Sequence, residues 1–233
     1  MNDSIEEVIR TVKEGRFAMI YDADGREEEV DLVIPSAYVG PDEVRRLRRD
    51  AGGLICVTVP PETWKILELP YLQEVYKHAS SEYQILSHMK ADDIPYDEIS
   101  TFTLSVNHRD TFTGISDNDR ALTINKFAQV GKSLEDMEQD DAKRLFGKEF
   151  RTPGHVFLLN ATEGLVSNRM GHTELTTALL VLADMYPSMT ICEMLSSDGD
   201  SMTEAEAVEY GESNDIPLLE GKYIKKAWEE RYG

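Results

Sequence analysis

The sequence predicts an α/β (α+β) fold, a single-domain sandwich in which a mixed sheet is covered by helices. Three observations predict it. Short apolar runs of strand length alternate with amphipathic stretches of helical period along most of the chain. No internal repeat or low-complexity tract interrupts that alternation. With 233 residues, 41% of them hydrophobic and 8% aromatic, the chain can bury one sizeable core, so residues 1–233 read as one domain.

Each element has its own signal. Ser4-x-x-Glu7 is a capping box, and Ile5, Val8, Ile9 and Val12 follow at helical spacing until Gly15 ends the helix. Residues 17–21 and 30–35 read as strands on either side of an acidic loop, and 41–50 as a short helix feeding a buried strand at 54–59. Residues 61–100 read as an insertion, with helical pieces at 62–67 and 72–89 before the polar, proline-bearing stretch ADDIPYDE. Residues 101–107 alternate like a strand, Asp117 or Asn118 can cap a helix through 129, and 133–146 is charged and amphipathic. Strand signals return at 155–159 and 164–167. A helix from His172 or Thr173 to about Met185, a buried strand at 189–195 and a helix at 203–213 come next, and a strand–helix unit ending in KKAWEERYG closes the sequence.

Composition narrows the function. A net charge of −20 and a pI of about 4.6 argue against nucleic-acid or anionic-membrane surfaces, because nothing here would release counterions from phosphates. The opening stretch is polar and amphipathic rather than signal-peptide-like, and the longest apolar run, 178–183, is far too short to span a bilayer, so a cytoplasmic protein is expected. Cys56 and Cys192 lie inside apolar runs with no C-x-x-C or histidine partner nearby, which reads as two free buried thiols.

The common ATP, NAD and zinc-protease signatures are missing: no G-x-x-x-x-G-K-[ST], no strand-linked G-x-G-x-x-G, no H-E-x-x-H. What remains is four polar clusters where apolar runs break, DGREEEVD (24–31), TFTGISDNDR (111–120), TPGHVF (152–157) and NRMGHTE (168–174). In RMGHTE, Arg169 and Gly171 precede a helix whose first turn holds His172 and Thr173. Free amides, the dipole and a bidentate arginine there make an anion cradle, although an ordinary Thr-capped helix would look the same. In DGREEEVD, the carboxylates Glu27, Glu28, Glu29 and Asp31 fit either a solvated turn or oxygen ligands for a hard divalent cation. His155 begins an apolar strand after Pro-Gly, and Glu193 sits inside the apolar run ICEML, where a carboxylate is costly unless paired or functional.

Together and in this order, these stretches resemble 3,4-dihydroxy-2-butanone 4-phosphate synthases, enzymes of riboflavin biosynthesis. The residues that carry the resemblance are DGR26-E27-E28-E29-VD31, GLIC at 53–56, T113-GI-S116-xx-D119-R120, PG-H155-VF, R169-x-G-H172-T173-E174 and C192-E193-xxxx-D198-G199. The resemblance covers most of the chain. It is nearest to stand-alone, archaeal-like members, since the segments between Val59 and Phe102 and from Lys126 to Arg151 look longer than bacterial ones, and Val30 replaces a glycine common in bacteria.

What the resemblance implies is specific. The fold would be that of the family. Ribulose 5-phosphate, a small phosphosugar, would be converted into the four-carbon ketone phosphate and formate, with magnesium or manganese, two divalent ions per subunit, in homodimers whose active sites lie at the interface. Glu27 and His172 would ligate metal. Arg26, Glu27, Asp31, Arg169, Met170, Gly171, His172, Thr173 and Glu193 would hold substrate, with Thr113 and Ser116 near the phosphate. His155 and Glu193 would be required for catalysis, and Asp31, Glu29 or Glu193 could take the first proton. Rival readings are another phosphosugar isomerase or aldolase, which would not release formate, and a non-catalytic metal- or nucleotide-binding module, which would not turn over at all.

Overall fold

A computed structural model describes residues 4–90, 92–95, 97 and 100–233 of the chain. Helix α1 (Ile5–Lys13) starts where the Ser4 hydroxyl accepts from the Glu7 amide, a cap of the kind worth about 1 kcal/mol. Strands β1 (Ala18–Tyr21) and β2 (Val30–Pro35) flank the acidic loop. Helix α2 (Pro41–Arg46) runs on as a π-turn through Leu47–Ala51, and Gly52, at φ 94°, releases the chain into β3 (Cys56–Val59). Helices α3 (Pro61–Leu67) and α4 (Leu72–Ala79) follow, then β4 (Phe102–His108), α5 (Asp117–Ser133), α6 (Gln139–Glu149) and β5 (Phe150–Asn160). Helix α7 (His172–Leu182), β6 (Met189–Glu193), α8 (Glu204–Asn214), β7 (Leu218–Glu220) and α9 (Gly221–Tyr232) complete the order.

Several boundaries differ from the sequence reading, each for a local reason. Residues 164–167 are not a strand: Gly164 adopts φ 77° and Leu165–Ser167 form a 3-10 turn. The helical piece expected over 72–89 breaks after Ala79 and resumes as the 3-10 segment Gln84–His88. Helix α5 is capped by Ser116, whose hydroxyl accepts from the Asp119 amide; Asp117 instead pairs with Arg48 and Arg120. The charged stretch at 133–146 becomes helical only from Gln139. Residues 91, 96, 98 and 99 of the expected insertion lie outside the described residues.

The strands form one mixed sheet in the order β4-β5-β3-β6-β2-β1-β7. Side chains alternate between its faces, so each strand feeds two cores. One face carries Met19, Leu32, Ile34, Val57 and Leu158 against Leu47, Ile124 and Phe127. The opposite face carries Ile20, Val33, Cys56 and Ile191 against Leu175, Leu179 and Leu180 of α7, with Val8 of α1 and Ile224 of α9. Helix α7 is buried on nearly every side: its second half is apolar, Thr176 and Thr177 satisfy their hydroxyls on the His172 and Thr173 carbonyls, and its polar first turn comes to rest at the sheet's end. Cys56 and Cys192 are free and buried. No helix among the described residues is long and apolar enough to cross a membrane.

Candidate active site

The loop after β1 is organised by a residue just outside the acidic run. Asp22, buried, accepts from the Glu29 amide through Oδ1 at 3.1 Å, and through Oδ2 from the Glu27 amide at 3.0 Å and Arg26 Nη1 at 3.1 Å. This tether turns the clustered carboxylates apart. Glu28, at φ 57°, folds back to accept from the Gly25 amide and faces water, while Glu29 accepts from the Ser201 hydroxyl at 2.7 Å. Of the three glutamates, Glu27 turns inward, 2.9 Å from Arg26 Nη1 and 3.3 Å from His172 Nδ1.

His172 arrives from the first turn of α7. Its Nε2 lies 3.1 Å from the carbonyl of Ile20. A carbonyl can only accept, so Nε2 carries a proton and Nδ1 is the atom presented to Glu27 and, at 3.8 Å, to Asp31 Oδ1. Burial opposes its positive charge, but Asp31, Glu27 and Asp22 outweigh that and push its pKa up to about 9. Burial acts the other way on Glu27 too; His172 and Arg26 nevertheless hold that carboxyl below its ordinary value. Donor atoms of Asp22, Glu27 and His172 all lie within 4.8 Å of one another. Oxygen-rich, with one imidazole, the set fits a hard divalent cation, and the buried Asp31 Oδ1, which has no hydrogen-bond partner, points to the same place.

Asp31 sits beside Glu193 because β2 and β6 pair them in register. Burial pushes the Asp31 carboxyl up to about 8, with Glu193, Glu27 and Glu29 adding to the rise and His172 opposing it. Burial also raises Glu193, whose Oε2 accepts from the Leu54 amide at 2.7 Å. Glycine at position 53 makes that approach possible: a Cβ there would lie 2.4 Å from Glu193 Oε2.

Next to this group stands an arginine pair. Arg26 and Arg169 pass over Gly171, where a Cβ would lie 2.2 Å from Arg169 Nη1 and 2.8 Å from Arg26 Nη2. Arg169 is anchored by the fully buried Glu174, which also accepts from the Thr162 amide. The two arginines share Asp97 Oδ2. Met170 is half-buried at the rim of the α7 core, and Thr173 packs its hydroxyl 3.3 Å from that of Thr101.

The remaining predicted residues form a separate group at the β4–β5 edge. Asn107 on β4 contacts His155 twice, Oδ1 accepting from its amide and Nδ2 lying 3.1 Å from its Nδ1, and Nδ2 also donates to the Thr113 carbonyl. Asp119 ties the Thr113–Ser116 turn by accepting from the Gly114 amide at 2.8 Å, with Gly114 at φ 94°. His155 is exposed. Strand β3 lies between β6 and β5, so His155 stands two strand spacings, roughly 10 Å, from Glu193 within one chain. Arg26, Glu27, Glu29, Asp31, Arg169–Thr173 and Glu193 therefore come together; Thr113, Ser116 and His155 do so elsewhere. Asp22, Asn107 and Asp97 escape a sequence reading. Only Asp22, an acid at a strand's exit beside a glycine turn, carried a usable signal.

The architecture and this site define a class: a mixed α/β sandwich that sets a carboxylate–imidazole cation site beside an anion-binding arginine pair. The sequence profile of the 3,4-dihydroxy-2-butanone 4-phosphate synthase family matches residues 6–227. The chain belongs to that family. Its relatives include the 3,4-dihydroxy-2-butanone 4-phosphate synthases of Methanosarcina mazei, 44% identical over 97% of this chain and 92% of that one, and of Archaeoglobus fulgidus, 45% identical over 94% and 91%. A riboflavin biosynthesis protein of Endomicrobium trichonymphae is 30% identical over 93% of this chain and 46% of its own length. Among solved structures, a 3,4-dihydroxy-2-butanone 4-phosphate synthase in complex with two magnesium ions superposes with a TM-score of 0.77 at 27% identity, covering 98% of this chain and 97% of that one. The archaeal-like resemblance read from the motifs, and the fold it implied, agree with the archaeal relatives and the solved structure.

Proposed function

We propose that the protein converts D-ribulose 5-phosphate into L-3,4-dihydroxy-2-butanone 4-phosphate and formate, as a divalent-metal-dependent lyase of riboflavin biosynthesis. One observation carries this most: the cluster of Asp22, Glu27 and His172, with the unpartnered Asp31 oxygen aimed at it, lies directly beside an arginine pair suited to a phosphate. Glu27 and His172 would hold magnesium or manganese. A solved relative is described in complex with two magnesium ions, which supports a magnesium site here, and further carboxylates stand nearby for a second ion. A bound cation supplies positive charge that stabilises an enediolate on the sugar's oxygens.

The chain's own groups do the rest. Arg26 and the Arg169–Thr173 segment bind and orient the substrate, so that the reacting carbons lie against the carboxylates. Asp31, Glu193 and Glu29 move protons. The first leaves C3; later transfers accompany loss of the C1 hydroxyl, the skeletal shift and release of C4 as formate. Asp31, buried with one carboxylate oxygen unpartnered and facing the cluster, is placed to take and return protons repeatedly. Gly53 and Gly171 keep the walls close enough to limit water.

His155, Thr113 and Ser116 reach this chemistry in a homodimer whose sites combine the two groups from different copies. Phe112, 94% exposed, and Ile115, 53% exposed, flank that second group with apolar surface that a partner would cover. Free buried thiols suit a cytoplasmic enzyme. Incubation of the purified protein with ribulose 5-phosphate and magnesium, followed by a formate assay, tests the reading. Isomerisation without formate would make this a different phosphosugar enzyme, and absence of turnover would make it a binding module.

A further inference from the structure

Arg26 and Arg169 meet at one oxygen. Asp97 Oδ2 lies 2.8 Å from Arg26 Nη2 and 2.7 Å from Arg169 Nε, although Asp97 is about 70 residues away from either in sequence. Besides Glu27, which belongs to the cation group, each arginine has a carboxylate partner that is fixed in the fold. Asp22, on Arg26, and Glu174, on Arg169, have fully buried side chains, and both accept from backbone amides as well. Asp97 is different. Its side chain retains 14% exposure, and it borders a cavity of about 510 Å³ walled also by Arg26, Arg169, Ile94, Pro95 and Met170. The guanidiniums hold its carboxyl below the ordinary range despite partial burial, so it is an anion at neutral pH.

We propose that Asp97 is the resident anion of the phosphate subsite: its carboxylate occupies the place between the two guanidiniums that a phosphate oxygen of the substrate takes, and is displaced when that phosphate binds. The inference deepens the proposed function and rests on its reading of Arg26 and Arg169. Its chemistry is that of exchange. A phosphate offers three acceptor oxygens at the same N···O reach and more negative charge than a carboxylate, so it can bridge both arginines where Asp97 now does. A phosphate-bearing ligand must meet the cost of displacing Asp97, and its dianion recovers that cost at the two guanidiniums. A sugar without the phosphate leaves Asp97 in place, so the carboxylate tempers phosphate affinity and keeps the two arginines paired while the subsite is empty.

The test is Asp97→Asn, which keeps the shape and removes the charge, with Asp97→Glu as the conservative variant. Calorimetric titration of inorganic phosphate into the full chain with magnesium present should show binding about tenfold tighter in Asp97→Asn, the worth of one charge-assisted contact, with the glutamate variant close to wild type. KM for ribulose 5-phosphate should fall in parallel, while affinity for unphosphorylated ribulose changes less; kcat, recorded alongside, separates binding from chemistry. Arg169→Ala locates the phosphate and should abolish the gain. Unchanged phosphate binding in Asp97→Asn would make Asp97 a bystander and overturn the proposal. Weaker binding would overturn it too, by showing that the carboxylate merely positions the guanidiniums. The phosphate titration needs no turnover: tighter phosphate binding without formate would sink the proposed reaction and leave Asp97's role standing, and formate without tighter binding would do the reverse.

Discussion

The two polar groups of this fold sit on one sheet and are built in opposite ways. The group at β1, β2, β6 and α7 is enclosed: Asp22, Asp31, His172 and Glu174 are buried, and every arginine there is answered by a carboxylate. The group at β4 and β5 is open, with His155 exposed and Phe112 and Ile115 bare to solvent beside it. Buried charge is tolerable only when it is paired or employed, so the first group is a finished charge cage awaiting a ligand. An exposed phenylalanine next to an ordered histidine is costly in water and reads instead as half of an interface. Under the proposed function, the difference would mean that one chain prepares binding and proton transfer in one place and presents the complementary residues outward in another.

The largest expected effect comes from opening the enclosed group. Glu27→Gln or His172→Asn should lower formate production by about 100-fold or more, as should chelation with EDTA, since each removes a ligand or the cation itself. Arg169→Ala should behave differently and raise KM about tenfold while kcat changes little. Steady-state kinetics with a magnesium titration separate these outcomes. Full activity in chelated protein would break the assignment of the acidic loop to a metal.

The open group can be tested against the enclosed one by mixing. Glu27→Gln and His155→Ser subunits should each be inactive alone. Refolded together, they should recover up to about half of normal activity per heterodimer, because one of the two symmetric sites then receives neither lesion. Native mass spectrometry confirms the mixed species. Heterodimers that stay inactive would place His155 in the same chain's site, and a monomer at micromolar concentration would remove the shared site.

Much of this was legible before the structure. The capping box at Ser4, the alternation of periods and the six motifs in order pointed to the sheet, the helices and the family. What stayed hidden was hidden for physical reasons. Asp22 works through backbone amides of Glu27 and Glu29, a role that any short acceptor at a turn could fill, so its place at a strand's exit beside a glycine turn is the one signal it carries. Asp97 depends on a contact across about 70 residues, which no local pattern encodes. The run at 164–167 is too short to show a period, and the positive φ of Gly164 and Leu165 turns it away from a strand. Asp117 looked like a helix cap because capping chemistry belongs to aspartate as well as serine; its competing ion pair with Arg48 decided the matter for Ser116.

The smallest effect, and the one that separates the two groups most sharply, is a pH slope in stability. In the ion-free protein His172 is raised from 6.5 to about 9 and Asp31 from 3.8 to about 8. A histidine raised on folding stabilises the native state fully below its unfolded value, and that contribution is lost as pH climbs through the folded one. A carboxyl raised on folding acts in the same direction here, since the folded protein keeps a proton that the unfolded chain has released. Both terms therefore make the ion-free protein less stable as pH rises from about 6 to 9. The expected change is a fall in Tm of a few degrees, given that about 1 kcal/mol moves Tm by roughly 2–4 °C at this size. Magnesium should flatten the slope, because a cation replaces the protons that the site otherwise needs, and its apparent affinity should rise with pH over the same range. Thermal denaturation at pH 6, 7.5 and 9, in EDTA and in magnesium, reads both effects. His155→Ser should leave the slope in EDTA unchanged, since that residue lies outside the enclosed cage, whereas Asp31→Asn should reduce it. A Tm in EDTA that held steady or rose between pH 6 and 9 would show that the cage does not hold its protons as its burial and charges require.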